Sequence, residues 1–155
     1  MRDWLFIARS VNFCANSGDA SCLPSRVSAI LYKSGDICRF IKPKEPSVRL
    51  LGRVSDLDAF YANIDVSVNP DCGGTGIKVK SVEALSYGRP LLCSPAGSKG
   101  LHSENTCHSL PDRESLINRL VQLTEHRELL APLREASIAV FARYNKTAEE
   151  YLASF

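Results

Sequence analysis

The sequence predicts an α/β fold: a doubly wound parallel sheet followed by a helical tail. Three observations predict it. Up to Gly100, short apolar runs alternate with amphipathic segments and polar, glycine- or proline-marked turns. The stretch from Ile64 to Pro95 (IDVSVNPDCGGTGIKVKSVEALSYGRPLLCSP) has the order strand, glycine-rich loop, helix, strand, a βαβ unit with its glycines at the mouth of the first strand. Beyond Gly100 the apolar residues recur at helical spacing only.

In chain order, Trp4 to Ala8 (WLFIA) is an apolar run suited to a fully buried parallel strand. Arg9 to Pro24 is rich in Ser, Asn, Gly and Asp and reads mostly as loop. Ser25 to Lys33 is expected to be a helix capped by Ser25, with Val27, Ile30 and Leu31 on one face and Gly35 ending it. Ile37 to Ile41 is expected as a second strand, Lys42 to Pro46 as a turn, and Val48 to Val54 as a third strand. Ser55 is expected to cap a short helix carrying Leu57, Phe60 and Tyr61, with Asp58 as the partner carboxylate of a capping box. Asp65 to Asn69 and Pro90 to Ser94 are the fourth and fifth strands. The helix between them carries Ile77, Val79, Val82, Ala84 and Leu85, and stops at Gly88 and Pro90. Asp112 to His126 is a helix with Asp112 as N-cap; a second helix is expected from about Glu128 to Arg143, with Pro132 in its first turn, and a third over Lys146 to Phe155.

The 155 residues are expected to form one domain, with the helical tail occupying about 112–155. A net charge of +2 without any basic block of five residues gives no reason to expect nucleic acid as a partner. Cys14, Cys22, Cys38, Cys72, Cys93 and Cys107 are scattered, with no C-x-x-C pair and no histidine at a metal-ligand spacing. They read as reduced thiols, and with no secretory signal the expected setting is cytoplasmic, with membrane contact at most peripheral. No metal and no cofactor is expected.

The chemistry concentrates in the glycine loop. Gly73, Gly74 and Gly76 permit positive φ and close approach of a ligand to the backbone. A helix beginning near Ile77 adds N–H groups and a partial positive charge, a combination suited to phosphate. Lys78 and Lys80 place cations where they oppose the helix dipole, an arrangement that an anion nearby would compensate. Glu83, further along the helix, is placed to accept two hydroxyls of a ribose. Plainer readings stand beside these: Lys78 and Lys80 as solvated cations, Glu83 as the partner of Lys80 three residues back. Tyr87 reads as packing, Cys93 as core, and His102 and His108 as surface residues of a polar loop. Cys72 stands beside the glycines, within reach of a ligand or outside it.

The run Gly74-Thr75-Gly76-Ile77-Lys78-Val79-Lys80-Ser81-Val82-Glu83-Ala84-Leu85-Ser86-Tyr87-Gly88-Arg89-Pro90 resembles the donor-binding signature of retaining GT-B glycosyltransferases of the group 1 type. The flanks are similar too: Val48-Arg49-Leu50-Leu51-Gly52 with Ser55-Asp56-Leu57, then Asp65-Val66-Ser67-Val68-Asn69-Pro70, then Gly97 to Leu101. The resemblance is strong from Val48 to Leu101, and before Val48 only Leu5-Phe6-Ile7-Ala8 looks like the family's opening strand. It implies a Rossmann-like domain, one half of a GT-B fold, that binds a nucleoside-diphosphate sugar and takes part in moving the sugar to a glycan, lipid or small acceptor.

By the resemblance, Gly74, Gly76, Ile77, Lys78 and Lys80 are expected at the donor diphosphate, Glu83 at the ribose and Thr75 near the sugar. Two positions depart from the family pattern. Thr75 stands where the family often has a sugar-binding Glu, and the family's Arg and Lys pair after the opening strand is reduced to Arg9, with no lysine before Lys33. Lys78 or Lys80 is expected to take over phosphate neutralisation. The N-terminal acceptor domain of such enzymes has no counterpart here, so the chain is expected to be a fragment, a split-gene product or a remnant, not active by itself and with no assignable catalytic residue. The alternative is a non-catalytic nucleotide or nucleotide-sugar binding module. A dinucleotide-binding domain ranks lower, because Gly-Gly-Thr-Gly does not complete G-x-G-x-x-G and follows a late strand. A nucleotide-sugar epimerase would need cleft carboxylates and a histidine that the sequence does not place.

Overall fold

The computed structural model describes residues 6–10, 29–40, 42 and 46–154. Five strands, β1 (Phe6–Ser10), β2 (Ala29–Ser34), β3 (Val48–Gly52), β4 (Val66–Asn69) and β5 (Leu91–Cys93), form one sheet in the order β3-β2-β1-β4-β5. The helices are α1 (Leu57–Ala62), α2 (Val79–Ser86), α3 (Arg113–Glu125) and α4 (Leu130–Leu152).

Helices cover both faces of the β4–β5 half. Side chains alternate along a strand, so Val66 and Val68 of β4 and Leu92 of β5 bury against Leu116, Leu120 and Leu123 of α3 and Leu133 of α4. Leu91 and Cys93 of β5 face the other way, onto Tyr61 of α1, Ala84 and Leu85 of α2 and Val140 of α4. Each fully buried leucine contributes about 2 kcal/mol from apolar area removed from water, and continuous apolar runs are what a strand covered on both faces requires.

The parallel expectation holds for part of the sheet. β2 pairs β3 and β4 pairs β5 in parallel, but β1 runs antiparallel to both β2 and β4. An apolar run fixes burial on two faces and says nothing of strand direction, so the sequence pattern was blind to this reversal. Four other expectations are corrected. Residues 29–33 of the expected Ser25–Lys33 helix lie in strand β2, with Ser25 and its neighbours to residue 28 outside the described residues. Leu31 packs on the α3 side and Tyr32 on the α1 and α2 side, the period of two that a short apolar run hides. The expected strand Ile37–Ile41 is instead a 3₁₀ turn, Asp36–Arg39, that follows Gly35 at φ 105°, with residue 41 outside the described residues. The cap of α1 is Asp56 and not Ser55: Asp56 Oδ1 accepts from Ala59 N at 2.9 Å. The tail has two helices where three were expected, the last two being one. α4 runs unbroken for 23 residues because 143–147 holds neither Gly nor Pro, and Thr147 bonds back to Arg143 within it.

Asp112 caps α3 as expected, accepting from Ser115 N at 2.7 Å, a bond that lowers the carboxyl pKa. Of the opening run Trp4 to Ala8, Trp4 and Leu5 lie outside the described residues, as does the expected loop from residue 11 to Pro24 and most of the turn at Lys42 to Pro46. No helix among the described residues is long and apolar enough to cross a membrane.

Candidate functional site

β4 ends at Asn69, and the chain then turns through residues 70–78 before α2 begins at Val79, two residues later than Ile77. Gly74 and Gly76 adopt φ 94° and 81°, values that side chains other than glycine rarely accept; Gly73 does not have a positive φ. Residues 72–77 of the loop are exposed, Thr75 among them, and Ile77 lies against Gly100 on the turn after β5.

A buried polar chain holds this loop to its neighbours. Asn69 Nδ2 donates to Ser81 Oγ at 2.8 Å, and Ser81 Oγ donates to the Gly97 carbonyl at 2.7 Å. Asn69 Oδ1 in turn accepts from Asp71 N, and Ser94 Oγ donates to the Asp71 carbonyl. The end of β4, the first turn of α2 and the turn after β5 are thus one unit. Gly97 is the point of closest approach: a Cβ there would stand 2.7 Å from the Asn69 carbonyl oxygen and 2.9 Å from Cys93 Cβ. Gly97→Ala is therefore expected to destabilise the domain by about 2 kcal/mol through overpacking. Urea unfolding measures this, and an unchanged midpoint would contradict it.

Lys78 is the N-cap of α2, with no side chain bonding the first-turn amides. Its ammonium reaches back over the loop, donating to the Gly73 carbonyl at 2.7 Å and pairing with Asp71 at 3.3 Å. The reading of Lys78 as a solvated cation is corrected: 15% of its side chain is exposed. Gly74 keeps the space open, since a Cβ there would stand 2.6 Å from Lys78 Nζ. Lys80 is half-buried in the first turn of α2.

Glu83 stands four residues beyond Val79, about 6 Å along the helix axis. Its Oε1 accepts a 2.8 Å hydrogen bond from the Tyr61 hydroxyl. The helix ends just beyond, in a Schellman motif: Gly88 N reaches the Leu85 carbonyl and Arg89 N the Ala84 carbonyl, with Gly88 at φ 59°. Arg89 then donates to the carbonyls of Ile64 and Tyr87, tying the end of α2 to the start of β4.

The loop therefore brings Gly74, Gly76, Ile77 and Lys78 together, with Lys80 and Glu83 following along α2. Sequence reasoning missed Asp71 and Tyr61. An acid placed just before a glycine run and seven residues ahead of a lysine is a signal for the first; nothing in the local sequence points to the second, 22 residues from Glu83. His108 is a correction. It was expected on the surface and is buried, Nδ1 at 2.5 Å from Ser103 Oγ and Nε2 at 3.0 Å from Ser137 Oγ. Cys93 is core as expected, its thiol pushed up to about 12 by burial, and Cys72 is exposed on the loop. Among the described residues no group of His, Cys, Asp or Glu is arranged to hold a metal ion.

The site of this α/β domain thus combines glycine backbone at the mouth of a strand, a helix N-terminus without a side-chain cap, a lysine across the loop and a carboxylate further along the helix. Comparison with known families makes this specific. The chain belongs to the group 1 glycosyl transferases: residues 33–126, more than half of it, match the model of that family. The matched span runs from Lys33 in β2 to His126 at the end of α3 and includes the whole loop, Glu83 and Gly97, as a GT-B C-terminal domain would. Glycosyl transfer with a nucleotide-sugar donor is the general chemistry of such a family. Neither curated proteins nor solved structures give a match.

Proposed function

We propose that this chain is the donor-binding, C-terminal domain of a retaining GT-B glycosyltransferase, holding the nucleoside-diphosphate part of a sugar donor on the 73–83 segment. In this reading the sheet is the doubly wound, Rossmann-like half of that fold, residues 1–155 are one domain, and an N-terminal domain outside this chain binds the acceptor. The setting is cytoplasmic, in keeping with the scattered cysteines.

The observation that carries the reading is the pairing of Lys78 over the glycine loop with Glu83 further along the same helix. Backbone amides of Gly74, Gly76 and Ile77 and the ammonium groups of Lys78 and Lys80 meet the diphosphate. Lys78 exchanges its bond to Asp71 for phosphate oxygen, gaining a dianion in place of a single carboxylate. Glu83 accepts the ribose hydroxyls, and Thr75, exposed on the loop, approaches the sugar with a neutral hydroxyl. As the sugar leaves, negative charge grows on the departing diphosphate, and fixed donors at the helix N-terminus stabilise it without reorganising. Transfer to acceptor then requires an acceptor-binding domain as well, and residues 1–155 contribute donor binding.

Calorimetric titration with UDP, GDP and ADP tests the reading. At least one of them is expected to bind, and Glu83→Ala to weaken it by about tenfold, the loss of a hydrogen bond to a charged group. Absence of binding by all three would overturn it.

A further inference from the structure

We infer that Tyr61 is a positioning residue for the donor site: through its hydrogen bond to Glu83 it sets the carboxylate that reads the ribose hydroxyls, and so sets selectivity for a ribonucleotide over its deoxy form. The inference rests on the ribose role proposed for Glu83.

Tyr61 belongs to α1 and is 0% exposed, yet its hydroxyl reaches the half-buried Glu83 of α2, donating to Oε1 at 2.8 Å. The ring has no freedom to follow the carboxylate. It stacks on Tyr87 with centroids 4.4 Å apart and planes at 13°, and meets Phe60 edge-on at 5.1 Å. Tyr87 sits four residues after Glu83, at the C-cap of α2, so the same helix supplies both the carboxylate and the surface that clamps its partner. Burial, reinforced by Glu83, pushes the Tyr61 hydroxyl pKa well above its usual value, so the group remains a donor.

The consequence follows from counting lone pairs. An ionised carboxylate has about four acceptor positions. Tyr61 takes one on Oε1, which fixes the rotation of the carboxylate and leaves Oε2 with both of its lone pairs. Two vicinal hydroxyls need both oxygens in fixed places; a freely rotating carboxylate on a helix surface would have to be ordered at the moment of binding.

The test compares, for wild type and Tyr61→Phe, the affinity for the tightest binder among UDP, GDP and ADP with that for its 2′,3′-dideoxy counterpart. Wild type is expected to prefer the ribonucleotide by about tenfold or more, and Tyr61→Phe to lose most of that preference while binding the dideoxy nucleotide as wild type does. A purely structural role would weaken both nucleotides together and leave the ratio intact. An intact wild-type preference in Tyr61→Phe overturns the inference alone; a wild-type ratio near one overturns the ribose role of Glu83 and the inference with it. A second measurement needs no variant and applies if Tyr61→Phe does not fold. The Tyr61 hydroxyl proton of the wild-type protein is expected to shift in NMR spectra on adding the ribonucleotide and not the dideoxy form; equal shifts, or none with either, overturn the inference.

Discussion

Replacing Lys78 and Lys80 together with alanine is expected to weaken nucleoside-diphosphate binding by about a hundredfold. Each lysine offers a charge-assisted hydrogen bond worth about 1.5–3 kcal/mol to phosphate, and the exposure of the loop argues for the lower end of that range. Lys78 already spends its charge on Asp71 and the Gly73 carbonyl, so part of what it gains from phosphate is offset by what it gives up. Asp71→Asn, which removes that competitor and a negative charge at the loop mouth, is accordingly expected to tighten binding several-fold. Calorimetry on the variants measures both, and unchanged affinity in the double alanine variant would mean that the diphosphate lies elsewhere.

The second large effect concerns pH. His108 is buried with both ring nitrogens engaged, and burial lowers its pKa to about 4 from an ordinary value of 6.5. Each serine also accepts a backbone amide, Ser137 Oγ from Leu91 N and Ser103 Oγ from Asn105 N, so the hydroxyl proton of either can point at the ring and a neutral imidazole has both nitrogens satisfied. This ties α4 to β5 and to the 103–108 segment through a neutral imidazole. The sign follows from proton uptake. Between pH 6.5 and 4 the unfolded chain protonates this histidine and the folded one does not, so stability falls on acidification by about 1.4 kcal/mol per pH unit, roughly 3 kcal/mol over the window. Above 6.5 both states are neutral and the dependence vanishes. Urea unfolding of wild type and His108→Gln at pH 7 and pH 4.5 isolates the effect from the carboxylates, which titrate in both proteins. The variant is expected to lose far less stability between the two pH values; parallel losses would contradict the assignment.

Much of this architecture is legible in the sequence where punctuation and period agree. From Asp65 to Ser94 the apolar runs are short, the glycines bracket the helix, and Gly88 takes the positive φ its position after Tyr87 demands. Legibility fails where one pattern serves two structures. Ala29-Ile30-Leu31-Tyr32 is too short to separate a helix face from a doubly covered strand, and an apolar run such as Phe6-Ile7-Ala8 carries no mark of its direction. The junction near Asn145 looks polar enough to break a helix, yet contains no residue that prevents helical geometry.

The candidate site divides in the same way. Lys78 and Glu83 are visible because the roles proposed for them follow from offsets along one loop and helix. Tyr61, Ser137 and Ser103 are invisible because their effect lies in contacts that only the packed sheet creates, across 22 residues to Glu83 and across 29 and 5 residues to His108. Tertiary hydrogen bonds between side chains leave no local period.

The proposed function requires that the 73–83 segment hold the donor's diphosphate and ribose. The most direct measurement is amide NMR of the ¹⁵N-labelled protein titrated with UDP, GDP and ADP. The predicted result is a saturable shift, with at least one nucleotide, of the Gly74, Gly76, Ile77, Lys78 and Glu83 amides. Saturable shifts confined to other parts of the chain, with these five unmoved, would contradict it.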